Sequence, residues 1–266
     1  MSHYRMSKMA AFLLTLAIVA VTAVAQENEV AASPPNVSIP GTQLLHLRSA
    51  IVGQDYDLLI NLPRNYRDST KAFPVLYLLD AQWDFPLLNA IYGEQYYDGF
   101  VPDIIIVGIS WGGQNPNYDY LRARDLTPTT SGNMPHSGNA PKFLGFVKNE
   151  LIPFIESKYR TVRDDRALMG SSFGGLFTLY AMFHETGVFN RYVVASPALG
   201  WDNQILVRYE KDYAGKHTRL PVRLFMAMGG LEGGQGEFLQ FANQLKERRY
   251  EGLDLQTRIL DGIGHS

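Results

Sequence analysis

Cysteine is missing altogether from this 266-residue chain. Its absence excludes disulfide cross-links, thiol nucleophiles and zinc sites built on thiolates. Charge is sparse as well: 19% of residues are charged, the formal net charge is −2, and neither sign gathers into long runs. Nucleic-acid binding requires a basic face, so that class is set aside. No long membrane-spanning run stands out either. The uncharged stretch "AAFLLTLAIVAVTAVA", residues 10–25, is 16 residues long, short of the about 20 that a bilayer span needs.

What is present is apolar material, 46% hydrophobic and 12% aromatic residues, enough for a sizeable core and suited to a small-molecule partner. Arg5 and Lys8 precede the uncharged stretch, and the polar "QENEVAAS" follows it. This three-part layout is that of an export signal, with cleavage expected after Ala23-Val24-Ala25. Residues 1–25 are therefore read as a signal peptide, and the product as periplasmic or secreted, without stable membrane insertion after cleavage. Removing Arg5 and Lys8 leaves 22 basic against 26 acidic residues, a net charge of −4. Residues 26–41, small, polar and Pro-containing, read as a linker, and residues 42–266 as one domain.

Within that domain, strand-like runs fall at Gln43–Leu47, Tyr56–Leu62, Val75–Leu79, Ile104–Ile109, Ala167–Met169, Tyr192–Ala195, Arg223–Met228 and Leu255–Leu260. Helix-like segments lie at Pro141–Lys158, Gly174–Glu185 and Gly236–Arg249. Alternating strand and helix with continuous apolar strands predicts an α/β fold: a mostly parallel central sheet covered by helices on both faces. The first two runs, joined by "SAIVGQ", predict an antiparallel hairpin at one edge. Residues 111–141, rich in Gly, Asn, Pro and Thr, read as one long irregular loop overhanging a site.

Gly170-Ser171-Ser172-Phe173-Gly174 matches G-x-S-x-G between the strand-like "RALM" and the helix-like "GLFTLYAMF". In that context the serine sits on a turn too tight for larger neighbours, its hydroxyl exposed and the Phe173 amide at a helix N-terminus facing an oxyanion. A lone match can also be a glycine-rich packing turn. A serine hydroxyl needs a base, and among six histidines only His265 follows the last strand in the order Ser, acid, His. The acid is expected in the Gly-rich loop "GGLEGG", at Glu232, with Asp202, Glu237 and Asp261 as competitors. The second oxyanion donor is expected from the backbone of Ala81 or Gln82, with Asp80 fixing that loop. Arg122 and Arg124 either brace the long loop against Asp119 and Asp125 or hold an anionic or catecholate ligand. Trp83, Trp111, Tyr118, Tyr120 and Trp201 are candidates for an aromatic pocket.

Seven stretches, "INLPRNY", "FPVLYLLDAQWDF", "YLRARDLTPT", "KFLGFVKNELIPFIESKYR", "GSSFGGLFTLYAMF", "ASPALGWDN" and "GGLEGG", together resemble the putative-esterase family of α/β-hydrolases, esterase D-like, in its siderophore (trilactone) esterase branch. The likeness runs from about residue 47 to 266. It implies an α/β-hydrolase fold and a serine esterase without cofactor or metal, acting on a small-molecule ester with Ser172 as nucleophile, His265 as base and Glu232 as acid. Arg122, Arg124, Trp83 and Trp201 would face substrate. Acyl transfer by the same serine, or ligand binding without catalysis, are the rival readings. Two departures stand out. Ala81 replaces the glycine of the family's "LLDG", where a strained φ is harder to reach. Relatives continue past the histidine into a closing helix, whereas this sequence ends at Ser266, so either residues are missing or the base lies on a fraying terminus.

Overall fold

A computed structural model describes residues 38–265. The expected signal peptide and most of the expected linker lie outside the described residues. None of the described helices is long and apolar enough to cross a membrane.

Eight strands form one sheet in the order β1-β2-β4-β3-β5-β6-β7-β8. They are β1 (Thr42–Arg48), β2 (Asp55–Asn61), β3 (Phe73–Leu78), β4 (Ile105–Trp111), β5 (Thr161–Ser171), β6 (Arg191–Ala195), β7 (Arg223–Gly229) and β8 (Asp254–Leu260). β1 and β2 form the expected hairpin, β2 pairs antiparallel with β4, and every other pairing is parallel. Side-chain patterns track this placement. β2 alternates, burying Tyr56, Leu58 and Ile60 on one face, whereas the more central β4 is buried at all seven positions. β8, the far edge, alternates exposed and half-buried residues. Glu150 closes the β1–β2 turn by accepting from Ser49 Oγ at 2.5 Å and Ala50 N at 3.0 Å.

Among the described residues seven α-helical segments connect the strands: α1 (Ala81–Tyr97), α2 (Tyr118–Leu126), α3 (Ala140–Phe146), α4 (Ile152–Lys158), α5 (Phe173–His184), α6 (Trp201–Ala214) and α7 (Gln235–Arg248). α3 runs into α4 through a π turn, Val147–Leu151. α5 is apolar all round and buried without interruption from Gly174 to Phe183, as befits a helix packed on β5 and β6 at the centre of the domain. Each fully buried Leu or Phe there contributes about 1.5–3 kcal/mol.

Three helices were hidden in the sequence pattern. α1 contains Pro86 and Gly93 and exposes Leu87 and Ile91, which breaks the apolar stripe. α2 lies inside the segment expected to be irregular. Asn117 caps it, its side chain accepting from Tyr120 N at 3.0 Å. Trp111 ends β4 and residues 140–141 open α3, so within 111–141 only 112–117 and 127–139 are loop. α6 opens on three consecutive left-handed residues, Asp202, Asn203 and Gln204, so its amphipathic run starts late.

Candidate active site

The C-terminal ends of the parallel strands converge on one edge of the sheet, where open α/β sheets place their sites. From β3 the chain enters Asp80 and α1; from β5, Ser172 and α5; from β6, Ser196; from β7, Glu232; and from β8, His265.

Ser172 adopts φ 57°, ψ −115°, a conformation rarely taken by a residue with a side chain and costing about 1–3 kcal/mol. Close packing enforces it. A Cβ on Gly170 would lie 2.5 Å from the backbone of Gly174, whereas one on Gly174 would come no nearer than 3.3 Å to any neighbour, so it is the glycine two before Ser172 that the bend requires. The Ser172 amide donates to Ala195 O at 3.0 Å, and its carbonyl accepts from Leu176 N and Ala198 N. Backbone bonds to β6 and to the segment after it thus hold the bend from both sides. Among the described residues the Ser172 hydroxyl has no hydrogen-bond partner.

Phe173 begins α5 and Ala81 begins α1, so the first amides of both helices lack intrahelical acceptors. The two N-termini are neighbours: a Cβ on Gly174 would sit 3.3 Å from Asp80 Oδ2 and 3.5 Å from Leu79 Cβ. The left-handed φ expected to trouble Ala81 falls one residue earlier, on Asp80, at φ 52°. Ala81 is helical and wholly buried, so its methyl group carries no backbone strain. The Gln82 side-chain amide is enclosed, with no partner for either polar atom among the described residues.

Glu232 is the carboxylate that meets His265. His265 Nδ1 bonds Glu232 Oε2; Ser196 Oγ donates to Oε1; and the Gly229 amide donates to the same Oε1 at 2.7 Å. The Glu232 side chain is 4% exposed against 54% for His265. Burial pushes the Glu232 carboxyl up, but the bonds from Ser196, His265 and Gly229 outweigh it and hold the group below its ordinary range. Ionised, Glu232 can only accept, so Nδ1 carries the ring proton and the neutral ring keeps a free lone pair on Nε2. Gly229 makes this meeting possible: a Cβ there would lie 2.4 Å from Ile263 O and 2.6 Å from Gly264 O. Of the competing acids, Glu237 only lines the cleft of about 230 Å³ beside this pair, Asp202 sits in the left-handed turn of α6, and Asp261 makes no bond to His265 among the described residues.

Of the two readings of Arg122 and Arg124, the bonds they make are those of bracing. Arg122 clamps Asp80 bidentately, Nε to Oδ1 at 3.1 Å and Nη2 to Oδ2 at 2.9 Å, and its guanidinium lies over Trp83 and Phe173 at 5.6 and 5.2 Å from the ring centroids. Arg124 is turned into the domain. Its Nε and Nη2 donate to fully buried Asp125, which also accepts from Tyr56 Oη and Trp111 Nε1 at 2.8 Å each. Bracing is therefore what both arginines do, through Asp80 and Asp125 rather than Asp119. Trp83, half exposed, meets Tyr118 edge-on at 5.9 Å, and Trp201 meets Phe173 edge-on at 5.2 Å while donating to Thr129 Oγ1. These rings form an aromatic wall beside the N-terminus of α5. Trp111 is instead buried. Ser196 was not singled out in the sequence; its only signal is a serine directly after the strand neighbouring the Ser172 bend.

The chain matches the family model described as "Putative esterase" over residues 49–230. It is 28% identical over 210 residues to the ferri-bacillibactin esterase BesA of Bacillus subtilis, covering 73% of this chain and 72% of that protein. It is 27% identical over 186 residues to the siderophore triacetylfusarinine C esterase of Aspergillus fumigatus, covering 68% and 63%. An IroE-like serine hydrolase from Shewanella oneidensis has a similar structure, with TM-score 0.75 and 28% identity over 85% of this chain and 75% of that one. A family match over more than half of the chain, on an α/β-hydrolase sheet with a strained serine at its C-terminal edge, gives the assignment: the chain belongs to this esterase family and is a carboxylic-ester hydrolase.

Proposed function

We propose that Ser172, His265 and Glu232 form the triad of a two-step ester hydrolysis. Ser172 Oγ attacks the ester carbonyl while His265 Nε2 takes its proton. The amides of Phe173 and of Ala81 or Gln82 donate to the resulting oxyanion. Collapse of the tetrahedral intermediate expels the alcohol, which takes the proton back from His265, and leaves an acyl group on Ser172. Water, deprotonated by the same ring, then releases the acid. The observation that carries this reading is the Glu232–His265 pair lying on the same sheet edge as the strained serine. Ser172 and the ring share no hydrogen bond, which agrees with catalytic contacts that tighten only when substrate is bound.

For substrate, the relatives' names point to siderophore esters, and the aromatic wall of Trp83, Tyr118, Phe173 and Trp201 suits the planar aryl groups of a trilactone. The leader-like layout of residues 1–25 supports the further proposal that the activity is periplasmic or secreted. The test is a fluorophosphonate probe followed by peptide mapping, alongside turnover of p-nitrophenyl, short-acyl, aryl and trilactone esters. Labelling of Ser172, and loss of both labelling and turnover in Ser172→Ala, is the expected result. Turnover at the unmodified level in folded Ser172→Ala rejects the nucleophile.

A further inference from the structure

We infer that Ser196 is a positioning residue for ester hydrolysis, holding the Glu232 carboxylate so that only one of its oxygens is available to His265. The inference rests on the triad reading above. Its starting point is the division of labour at the carboxylate: Oε1 accepts the Ser196 hydroxyl and the Gly229 amide, and Oε2 accepts His265 Nδ1. A carboxylate free to rotate about its last torsion would present either oxygen, or neither, to the ring. Two donors on Oε1 fix that torsion and thereby the direction from which Nδ1 is held, which in turn sets where Nε2 points.

Ser196 is itself fixed from two directions. Its amide donates to Ala227 O on β7 at 2.8 Å, and the preceding residue, Ala195, accepts from the Ser172 amide at 3.0 Å. Consecutive residues at the end of β6 therefore hold the bend that carries the nucleophile and the carboxylate that orients the base. Ser172 and His265 come from strands separated in the sheet by β6 and β7. The Ala195-Ser196 pair is the link across that gap.

The backbone also speaks for the hydroxyl. Ser196 has φ 42°, where glycine is the cheaper residue. A position needing only the turn has no use for a side chain there; what the serine adds is the bond to Glu232. It donates to an ionised acceptor, the stronger class of hydrogen bond.

Ser196→Ala and Ser196→Gly test this together, because both remove the hydroxyl while glycine also relieves the left-handed backbone. The expected result is a drop in kcat of about tenfold or more in each, with KM for a p-nitrophenyl ester within about twofold and thermal midpoints that do not follow the activity loss. The same Ser196→Ala change in a Glu232→Ala background is expected to cost nothing further, since the group it acts through is gone. Wild-type kcat in Ser196→Gly, or an equal loss with and without Glu232, overturns the inference. Wild-type activity in Glu232→Ala alone would instead strike at the triad reading, and fluorophosphonate labelling at Ser196 rather than Ser172 would overturn both.

Discussion

Replacing Arg122 by Met separates its two possible uses. The change keeps an unbranched apolar stem and removes the guanidinium fork that holds Asp80, whose side chain is 4% exposed against 17% for Arg122. Removing one partner of a buried pair costs about 3–5 kcal/mol, chiefly because the other charge is left uncompensated. The partial exposure of Arg122 puts this case near the lower end, about 3 kcal/mol, a figure that includes the two lost ring contacts. For a domain of this size each kcal/mol moves the midpoint by about 2–4 °C, so Tm should fall by about 6–12 °C. Because the Ala81 and Gln82 amides follow directly from Asp80, loosening the clamp should also lower kcat for a small neutral ester, with KM little changed. Calorimetry and p-nitrophenyl acetate kinetics measure both quantities. Asp80→Asn combined with Arg122→Met should recover much of the lost stability, since no charge is then stranded. An unchanged Tm and kcat, with KM rising only for anionic aryl esters, would refute the clamp and make the guanidinium a ligand contact.

Two further outcomes follow from the geometry. Gly229→Ala puts a methyl group 2.4–2.6 Å from the carbonyls of Ile263 and Gly264, so the loop bearing His265 must move; steady-state kinetics should show kcat down by about 10²-fold, and activity within twofold of wild type would show that the loop position is immaterial. Glu232 is held below its ordinary pKa, so it binds fewer protons folded than unfolded near pH 4; its stabilisation is therefore present above the unfolded value, about 4.3, and is lost as pH falls through the lower folded value. Denaturant titrations from pH 6 to 3 should show a steeper acid-side fall in the wild type than in Glu232→Gln, and parallel curves would contradict this sign.

The sheet was legible because its strands are chemically extreme. β4 reads "IIVGISW" and is buried throughout, and β2 alternates as a half-covered strand must. The nucleophile bend was legible because its motif includes Gly170, where an added Cβ would lie 2.5 Å from the Gly174 backbone, so geometry itself keeps that glycine in the pattern. α1 and α2 were not legible. α1 owes its helicity to packing beside β4 despite Pro86 and Gly93, and α2 to a single Asn117 cap amid loop-forming residues, and neither signal reaches a periodicity count.

The roles of the arginines were legible only in part: bracing against Asp125 was one of two readings and is what Arg124 does, but the Asp80 partner of Arg122 was not foreseen. "YLRARDL" places Arg122 and Arg124 two residues apart, a spacing that turns them to different sides of a helix, and which side faces the site depends on partners 42 and 70 residues away, Asp80 and Gln54. Sequence separation of that kind also hid Ser196, whose hydroxyl matters only because β6 lies between the strands carrying Ser172 and Glu232. Residue type limits what chemistry a site can contain; order along the chain then narrowed the acid to four candidate carboxylates and the base from six histidines to one. The selection among those carboxylates was made by strand order. Glu232 is the one whose loop leaves β7 beside β8, and β8 delivers His265.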